Sequence, residues 1–290
     1  MQLAVAISPT AGRGRADRLR RPVVDQLLAG GASVHVIEGT DAADAERRCR
    51  EVVEHRPDGL VAVGGDGMVH LAVQACAGSG VPLGIIPAGT GNDFAGAVGL
   101  PVKDPVAAAK VILAGCTRQI DAVRAGDRWF CCVLGAGFDA AVNARANAMT
   151  WPHGTARYVV ATLRTLRRLR PIDYTLTIDG ATQDIRAMVV AVGNAPSYGG
   201  GMQIVPDAAL DDGLLDVCIL GIETVPKFLW NFPKVFSGAH RTHRDITLLT
   251  ARSITIDAAG VTAYADGERF GDLPLTCECV PGALTVFAPG

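Results

Sequence analysis

The chain has 290 residues, enough to bury a sizeable core as one large or two modest domains, and 49% hydrophobic with 19% charged residues is a globular composition. A formal net charge of −2, with no long basic run, gives no reason to expect a nucleic-acid partner. No stretch of membrane-spanning length escapes Gly, Pro or charge, and the apolar start Met1–Ile7 is too short for a secretory signal, so the sequence reads as soluble and cytoplasmic.

Gln2–Ile7 is strand-like and leads into a flexible, basic turn, Ser8-Pro9-Thr10-Ala11-Gly12-Arg13-Gly14. Ala16–Ala29 carries a helical pattern that ends at Gly30-Gly31, and Ser33–Ile37 reads as a second strand. Thr40 is expected to cap a helix over Asp41–His55, with Ala42, Ala45, Cys49, Val52 and Val53 along one side. Leu60–Val63, apolar and bounded by glycines, predicts a buried strand. It runs into Gly64-Gly65-Asp66-Gly67-Met68, and Val69–Cys76 then reads as a helix. A glycine-rich loop between strand and helix can seat a phosphate, because backbone N–H groups and the helix dipole both face the anion. Taken alone, a structural turn explains the loop about as well. The logic repeats at Leu83–Ala95, where a strand runs into Gly89-Thr90-Gly91-Asn92-Asp93. Two such turns place Asp66, Thr90, Asn92 and Asp93 on one rim of a parallel sheet, and open α/β sheets bind nucleotides at that rim.

Pro105–Leu113 is the last helix of this rhythm. From Ile120-Asp121 onward strand-like runs take over: Trp129–Leu134, Tyr174–Ile178, Ala187–Val192, Leu214–Leu220, Ser253–Ile256 and Leu284–Phe287. The expected fold class is therefore an α/β N-terminal domain with a parallel, doubly wound sheet over 1–122, followed by a mainly β-sandwich domain over 123–282. The eight cysteines show no Cys-x-x-Cys pair and no His-Cys cluster, which argues against zinc; Cys277 and Cys279 read as thiols on one face of a strand.

Within the second half, Gly154–Arg170 alternates Arg157, Arg164, Arg167, Arg168 and Arg170 with apolar residues. Such a basic amphipathic helix suits an anionic lipid surface, but more often its apolar face is simply packed. Gly199-Gly200-Gly201 allows a tight bend, and Asp211-Asp212-Gly213 offers oxygen ligands to a hard cation such as Mg²⁺. Asx-Gly is also a common hairpin turn, and alone that reading prevails. His240 and His243 share helical spacing without a third ligand and read as ordinary polar positions, and His35 and His55 show no partner pattern. Val261–Ala265 is a strand ending at Asp266-Gly267-Glu268.

The succession of GGDG, PAGTGNDFA, the GGG block with its Pro206-Asp207-Ala208 and Asp212-Gly213, and Asp266-Gly267-Glu268 resembles the diacylglycerol kinase and lipid kinase family, which includes the sphingosine kinases. GGDG alone would also suit NAD kinases and 6-phosphofructokinases, which lack the later block. The resemblance covers almost the whole chain. It implies ATP-dependent transfer of the γ-phosphoryl group to a lipid hydroxyl, diacylglycerol to phosphatidic acid in the first instance, with ATP and Mg²⁺ as cofactors. Implied nucleotide contacts are Ser8 (where the family has Asn) and Gly12, Thr40, the run Gly64, Gly65, Asp66, Gly67 and Met68, and the run Gly89, Thr90, Gly91, Asn92 and Asp93.

A structural Mg²⁺ is implied at Asp212 with the carbonyls of Ala209 and Leu214. Asp266 and Glu268 are the two candidates for the catalytic base: on a strand they would share a face, unless the intervening glycine breaks that geometry. The resemblance further implies a C-terminal strand, about 283–290, that returns to the first domain, a helix near Phe228–His243, and transient contact with the inner face of a membrane. Oligomeric state stays open, a homodimer among the options. The sequence departs from the family at Met68, His70 and Gly96. Alternatives are therefore another lipid alcohol (sphingoid base, ceramide or polyprenol), an NAD kinase-like enzyme with a soluble acceptor, and a non-catalytic nucleotide or lipid sensor.

Overall fold

A computed structural model describes residues 1–7, 15–151, 155–165, 170–221 and 224–290. The chain divides into two compact units, Met1–Ala122 together with Pro281–Gly290, and Val123–Val280.

The first unit alternates strands and helices: β1 (Gln2–Ile7), α1 (Arg15–Ala29), β2 (Ser33–Glu38), α2 (Ala42–Glu54), β3 (Gly59–Gly64), α3 (Asp66–Cys76), β4 (Leu83–Pro87), α4 (Asp93–Ala97) and α5 (Pro105–Ala114). β5 (Thr117–Ala125) then carries the chain into the second unit. β1 pairs in parallel with β2 on one side and β3 on the other, and β3 pairs in parallel with β4. The fully apolar strands reflect burial on both faces, the usual state of a parallel sheet. Leu3, Val5, Ile7, Val61, Val63 and Ile86 pack with Val23 and Leu27 of α1 and with Ala108, Ala109 and Ile112 of α5. α2 and α3 form a second helix pair, with Cys49 and Val53 buried. Pro281–Gly290 completes the unit: Val286 lies opposite Leu83, and Ala288 N–H donates to the Cys116 carbonyl at 3.1 Å.

Local chemistry explains the helix ends. Asp104 caps α5 by accepting from Val106 and Ala107 N–H, Pro105 opens it, and Gly115 closes it at φ 72°. At α2 the cap falls on Asp41 rather than on Thr40: Asp41 accepts from Asp44 N–H at 2.9 Å, and Asp44 in turn accepts from Thr40 N–H at 3.0 Å. The reciprocal pair of acids outcompetes the threonine hydroxyl for the orphan donors, so the helix starts one residue later than expected.

The second unit holds β6 (Arg128–Phe130), β7 (Val133–Gly137), α6 (Phe138–Asn147), α7 (Thr155–Thr165), β8 (Ile172–Ile178), β9 (Ala181–Ala187), β10 (Val189–Gly193), β11 (Leu215–Leu220), α8 (Val225–Asn231), β12 (Ile246–Ala251), β13 (Ser253–Asp257), β14 (Thr262–Ala265), β15 (Glu268–Asp272) and the start of β16 (Leu275–Phe287). One antiparallel sheet runs β12-β11-β10-β7-β14-β15; in the other, β13 lies between β8 and β16, and β9 pairs with β8. Leu134, Ala136, Val190, Val192, Val217 and Ala263 from the first sheet share one core with Tyr174, Leu176, Ile254, Ile256 and Cys277 from the second. That is a β-sandwich core.

Three expected elements come out differently. The run Trp129–Leu134 breaks into β6 and β7 at Cys131-Cys132, because those N–H groups bond to Asp266 instead of to a strand. The run Ala187–Val192 likewise divides at Met188 between β9 and β10. The helix over Phe228–His243 is α8 followed by 3₁₀ turns at Phe232–Ser237 and Ala239–Thr242, with Pro233 and Gly238 (φ 68°) interrupting it. Of the basic run Gly154–Arg170, only Thr155–Thr165 and Arg170 are described; Gly154, Arg167 and Arg168 lie outside the described residues. Among the described residues no helix is long and apolar enough to cross a membrane.

Candidate active site

β3 and β4 are hydrogen-bonded neighbours with Gly64 opposite Pro87, so the loops that follow them emerge side by side. The strand order reverses between β1 and β3, and the carboxyl ends there form the crevice in which open α/β sheets take ligands. The two loops touch at glycines. A Cβ on Gly89 would stand 2.5 Å from Gly65 Cα and 2.9 Å from Asn92 Oδ1, so no side chain fits there.

Asp66, half-buried at the first position of α3, holds the second loop with both carboxylate oxygens. Oδ2 accepts from Asn92 N–H and Oδ1 from Asp93 N–H, each at 2.8 Å. Asn92 is left-handed (φ 56°, ψ 40°), a conformation asparagine tolerates, and its amide closes the turn by accepting from Gly89 N–H at 3.0 Å and donating to Gly89 O at 3.1 Å. The structure thus brings Gly65, Asp66, Gly89, Asn92 and Asp93 into one hydrogen-bonded unit. It also uses up the backbone donors at the start of α4, which leaves the Gly65–Gly67 and Gly89–Gly91 stretches as the backbone that can face an anion. Thr90 is exposed on that rim.

Met68 faces away from the rim. Its side chain is buried and its N–H donates to Gly65 O at 2.9 Å, so neither part is offered to a phosphate. His70 is buried too, beside Gln74 Nε2, so both departures from the family pattern in α3 fall in the core. Gly96 is exposed on α4. Thr40 sits against α2, its N–H and hydroxyl both turned to Asp44, whose carboxyl is held down to about 2 by that N–H, then by Arg47 and Arg48. Ser8 and Gly12 lie outside the described residues.

In the second unit Asp266 and Gly267 form the two-residue turn joining β14 to β15, both at positive φ (52° and 89°). Asp266 and Glu268 therefore do not share a strand face. The Asp266 carboxylate accepts from Cys131 N–H (3.2 Å), Cys132 N–H (3.0 Å) and Val133 N–H (3.2 Å), pinning the β6–β7 break. Glu268 is exposed and has no hydrogen bond or ion pair among the described residues. Of the two candidates, only Glu268 keeps a carboxylate open to a proton.

The acidic turn before β11 is charged beyond its needs. Asp212 accepts from Leu214 N–H at 3.0 Å as an Asx turn, and Asp207 pairs with Arg241 at 2.7 Å. Burial, then the charges of Asp212 and Asp207, push the Asp216 carboxyl up to about 6. Such a patch suits a hard cation held by Asp212 and by the carbonyls of Ala209 and Leu214. Three acid, His or Cys side chains do not converge on one point among the described residues, so water would complete any such shell.

Sequence reading did not find the pocket of the second unit. It encloses about 750 Å³, part of it open to solvent, and its walls include Phe138, Val142, Leu220, Phe228, Phe232 and Ile246. These residues come from several separate elements, and nothing in local spacing marks them as a lining rather than a core.

The chain matches the diacylglycerol kinase catalytic domain over residues 2–125 and the YegS C-terminal NAD kinase beta sandwich-like domain over 132–288. It is 41% identical over 97% of its length to a diacylglycerol kinase of Mycobacterium tuberculosis, 93% of which is covered. A crystal structure of a diacylglycerol kinase from Bacillus anthracis superposes with a TM-score of 0.80 at 25% identity, covering 99% of this chain and 97% of that one. An NAD kinase of Archaeoglobus fulgidus, solved with ATP, shares the fold at a TM-score of 0.55 and 16% identity, over 99% and 93% of the two chains.

Proposed function

The chain belongs to the family of diacylglycerol kinases and YegS-like lipid kinases, and from that premise we propose that it transfers the γ-phosphoryl group of ATP to the hydroxyl of a lipid, diacylglycerol first among them, giving phosphatidic acid. The observation that carries the lipid half of the reading is the apolar pocket of about 750 Å³ in the second unit, a size and lining suited to a hydrocarbon chain. The nucleotide half rests on the glycine loops at the ends of β3 and β4 and on the carboxylate lock between them.

Roles follow from the geometry. Backbone N–H groups of Gly65–Gly67 and Gly89–Gly91 hold the phosphates, with the N-terminal dipole of α3 behind them. Thr90 adds a hydroxyl and Asp93 a rim carboxylate. Asp66 acts through the loop it holds. Glu268 takes the proton of the lipid hydroxyl as its oxygen bonds to the γ-phosphorus and the bond to the β-phosphate oxygen breaks, releasing ADP. Bound with the nucleotide, Mg²⁺ supplies neutralising charge to the phosphates; a second, structural ion belongs at Asp212 with Ala209 and Leu214. Lipid is collected in transient contact with the inner face of the membrane.

The test is transfer of label from γ-labelled ATP with Mg²⁺ into diacylglycerol, a sphingoid base, ceramide and a polyprenol in mixed micelles, with NAD as a soluble acceptor. A labelled lipid is the expected product. Label in NAD alone, or in nothing while ATP still binds, contradicts the reading.

A further inference from the structure

The apolar pocket of the second unit has one polar atom in its wall that nothing answers. His240 is 1% exposed, and its Nε2 lies 3.1 Å from the carbonyl oxygen of Ile204, another wall residue. A carbonyl only accepts, so Nε2 carries the ring proton and Nδ1 of the neutral imidazole is an acceptor. Among the described residues Nδ1 has no hydrogen-bond partner. Asn231, also in the wall, is by contrast engaged at both ends: Nδ2 lies 2.9 Å from His243 Nε2, and Oδ1 accepts from Lys234 Nζ at 2.8 Å. A buried acceptor without a donor is unfavourable, and a leucine would fill the same space without that cost.

We infer that His240 Nδ1 reads a hydrogen-bond donor on the molecule that fills the pocket: a long-chain lipid whose buried part carries a hydroxyl or an amide N–H. The inference rests on the lipid kinase reading and narrows it. The one hydroxyl of plain diacylglycerol is consumed as phosphoryl acceptor, and its ester groups and hydrocarbon chains donate nothing. A hydroxyacyl glycerol, or a lipid with an amide-linked chain, supplies what Nδ1 lacks. An unsubstituted chain of equal length leaves the nitrogen unsatisfied in the complex as in the free protein. His240 is thus a specificity residue: it selects among chains and takes no part in phosphoryl transfer.

The experiment compares two isomers, 1-octanol and heptyl methyl ether, which share atoms and chain character but differ in the O–H. Each is titrated calorimetrically into the full chain, into His240→Leu and into His240→Gln; glutamine offers both an N–H toward Ile204 O and a carbonyl acceptor. The wild type is expected to bind the alcohol about tenfold more tightly than the ether. The preference should vanish in His240→Leu, with ether affinity unchanged or higher, and return in His240→Gln. Equal affinity of the two isomers for the wild type, binding of neither, or a preference that survives His240→Leu overturns the inference. The wild-type comparison decides even if the leucine variant fails to fold. The readout requires no turnover, so failure of the lipid kinase reading would appear separately, as absence of a phosphorylated lipid.

Discussion

The rim of the first unit and the pocket of the second are opposite kinds of site. At the rim, short polar groups and glycines from two loops satisfy one another almost completely: Asp66 takes the N–H groups of Asn92 and Asp93, and the Asn92 amide takes those of Gly89. The pocket is a wall of apolar side chains gathered from Phe138 to Ile246, in which His240 Nδ1 is left over. A site for phosphate is built from backbone, so its sequence is constrained residue by residue. A site for hydrocarbon is built from area, which many side chains can supply.

The largest expected effect tests how tightly the rim is specified. Gly89→Ala puts a Cβ 2.5 Å from Gly65 Cα, backbone against backbone, with no flexible side chain to yield. We expect a loss of about 3 kcal/mol in thermal or denaturant unfolding, together with loss of ATP binding. A variant as stable as wild type with normal ATP affinity would show that the two loops do not need their close approach.

Met68→Thr sharpens the same contrast. Threonine restores the hydroxyl that the family carries at this position, but the side chain is buried in the core. The variant should lose about 2 kcal/mol of stability and gain nothing in ATP affinity, measured by calorimetry. Tighter ATP binding would return Met68 to the nucleotide site.

The smallest effect concerns the acidic turn. Asp216 is pushed up to about 6 from 3.8, first by burial and then by Asp212 and Asp207. The folded state therefore holds this proton more tightly than the unfolded chain, so stability falls as pH rises from about 4 to about 6 and stays lower above that window. Asp216→Asn should add about 1 kcal/mol at pH 7, a figure discounted for partial exposure, and nothing below pH 4. Unfolding curves at the two pH values check it, and an equal effect at both would remove the electrostatic explanation.

The same contrast explains what the amino-acid sequence made legible. The parallel α/β layer and the β-rich second half follow from periodicity, and Gly65, Asp66, Gly89, Asn92 and Asp93 stand out because turns and close approach admit few residue types. Where competing local bonds decide, the reading slipped. Two acids took the α2 cap from Thr40, and Asp266 drew the N–H groups of Cys131 and Cys132 out of a strand. That second contact also separates Asp266 from Glu268, two residues that spacing alone could not rank. The pocket was invisible because lining and core have the same composition, and His240 looked ordinary until its burial was known.

The most direct measurement is transfer of γ-phosphate from labelled ATP into diacylglycerol by wild type, Glu268→Gln and Asp266→Asn. If Glu268 is the base, Glu268→Gln binds ATP and melts like wild type while transfer falls by about 10²–10⁴-fold, and the damage from Asp266→Asn tracks lost stability. Transfer by Glu268→Gln within a few-fold of wild type, with a labelled lipid formed, would contradict the assignment.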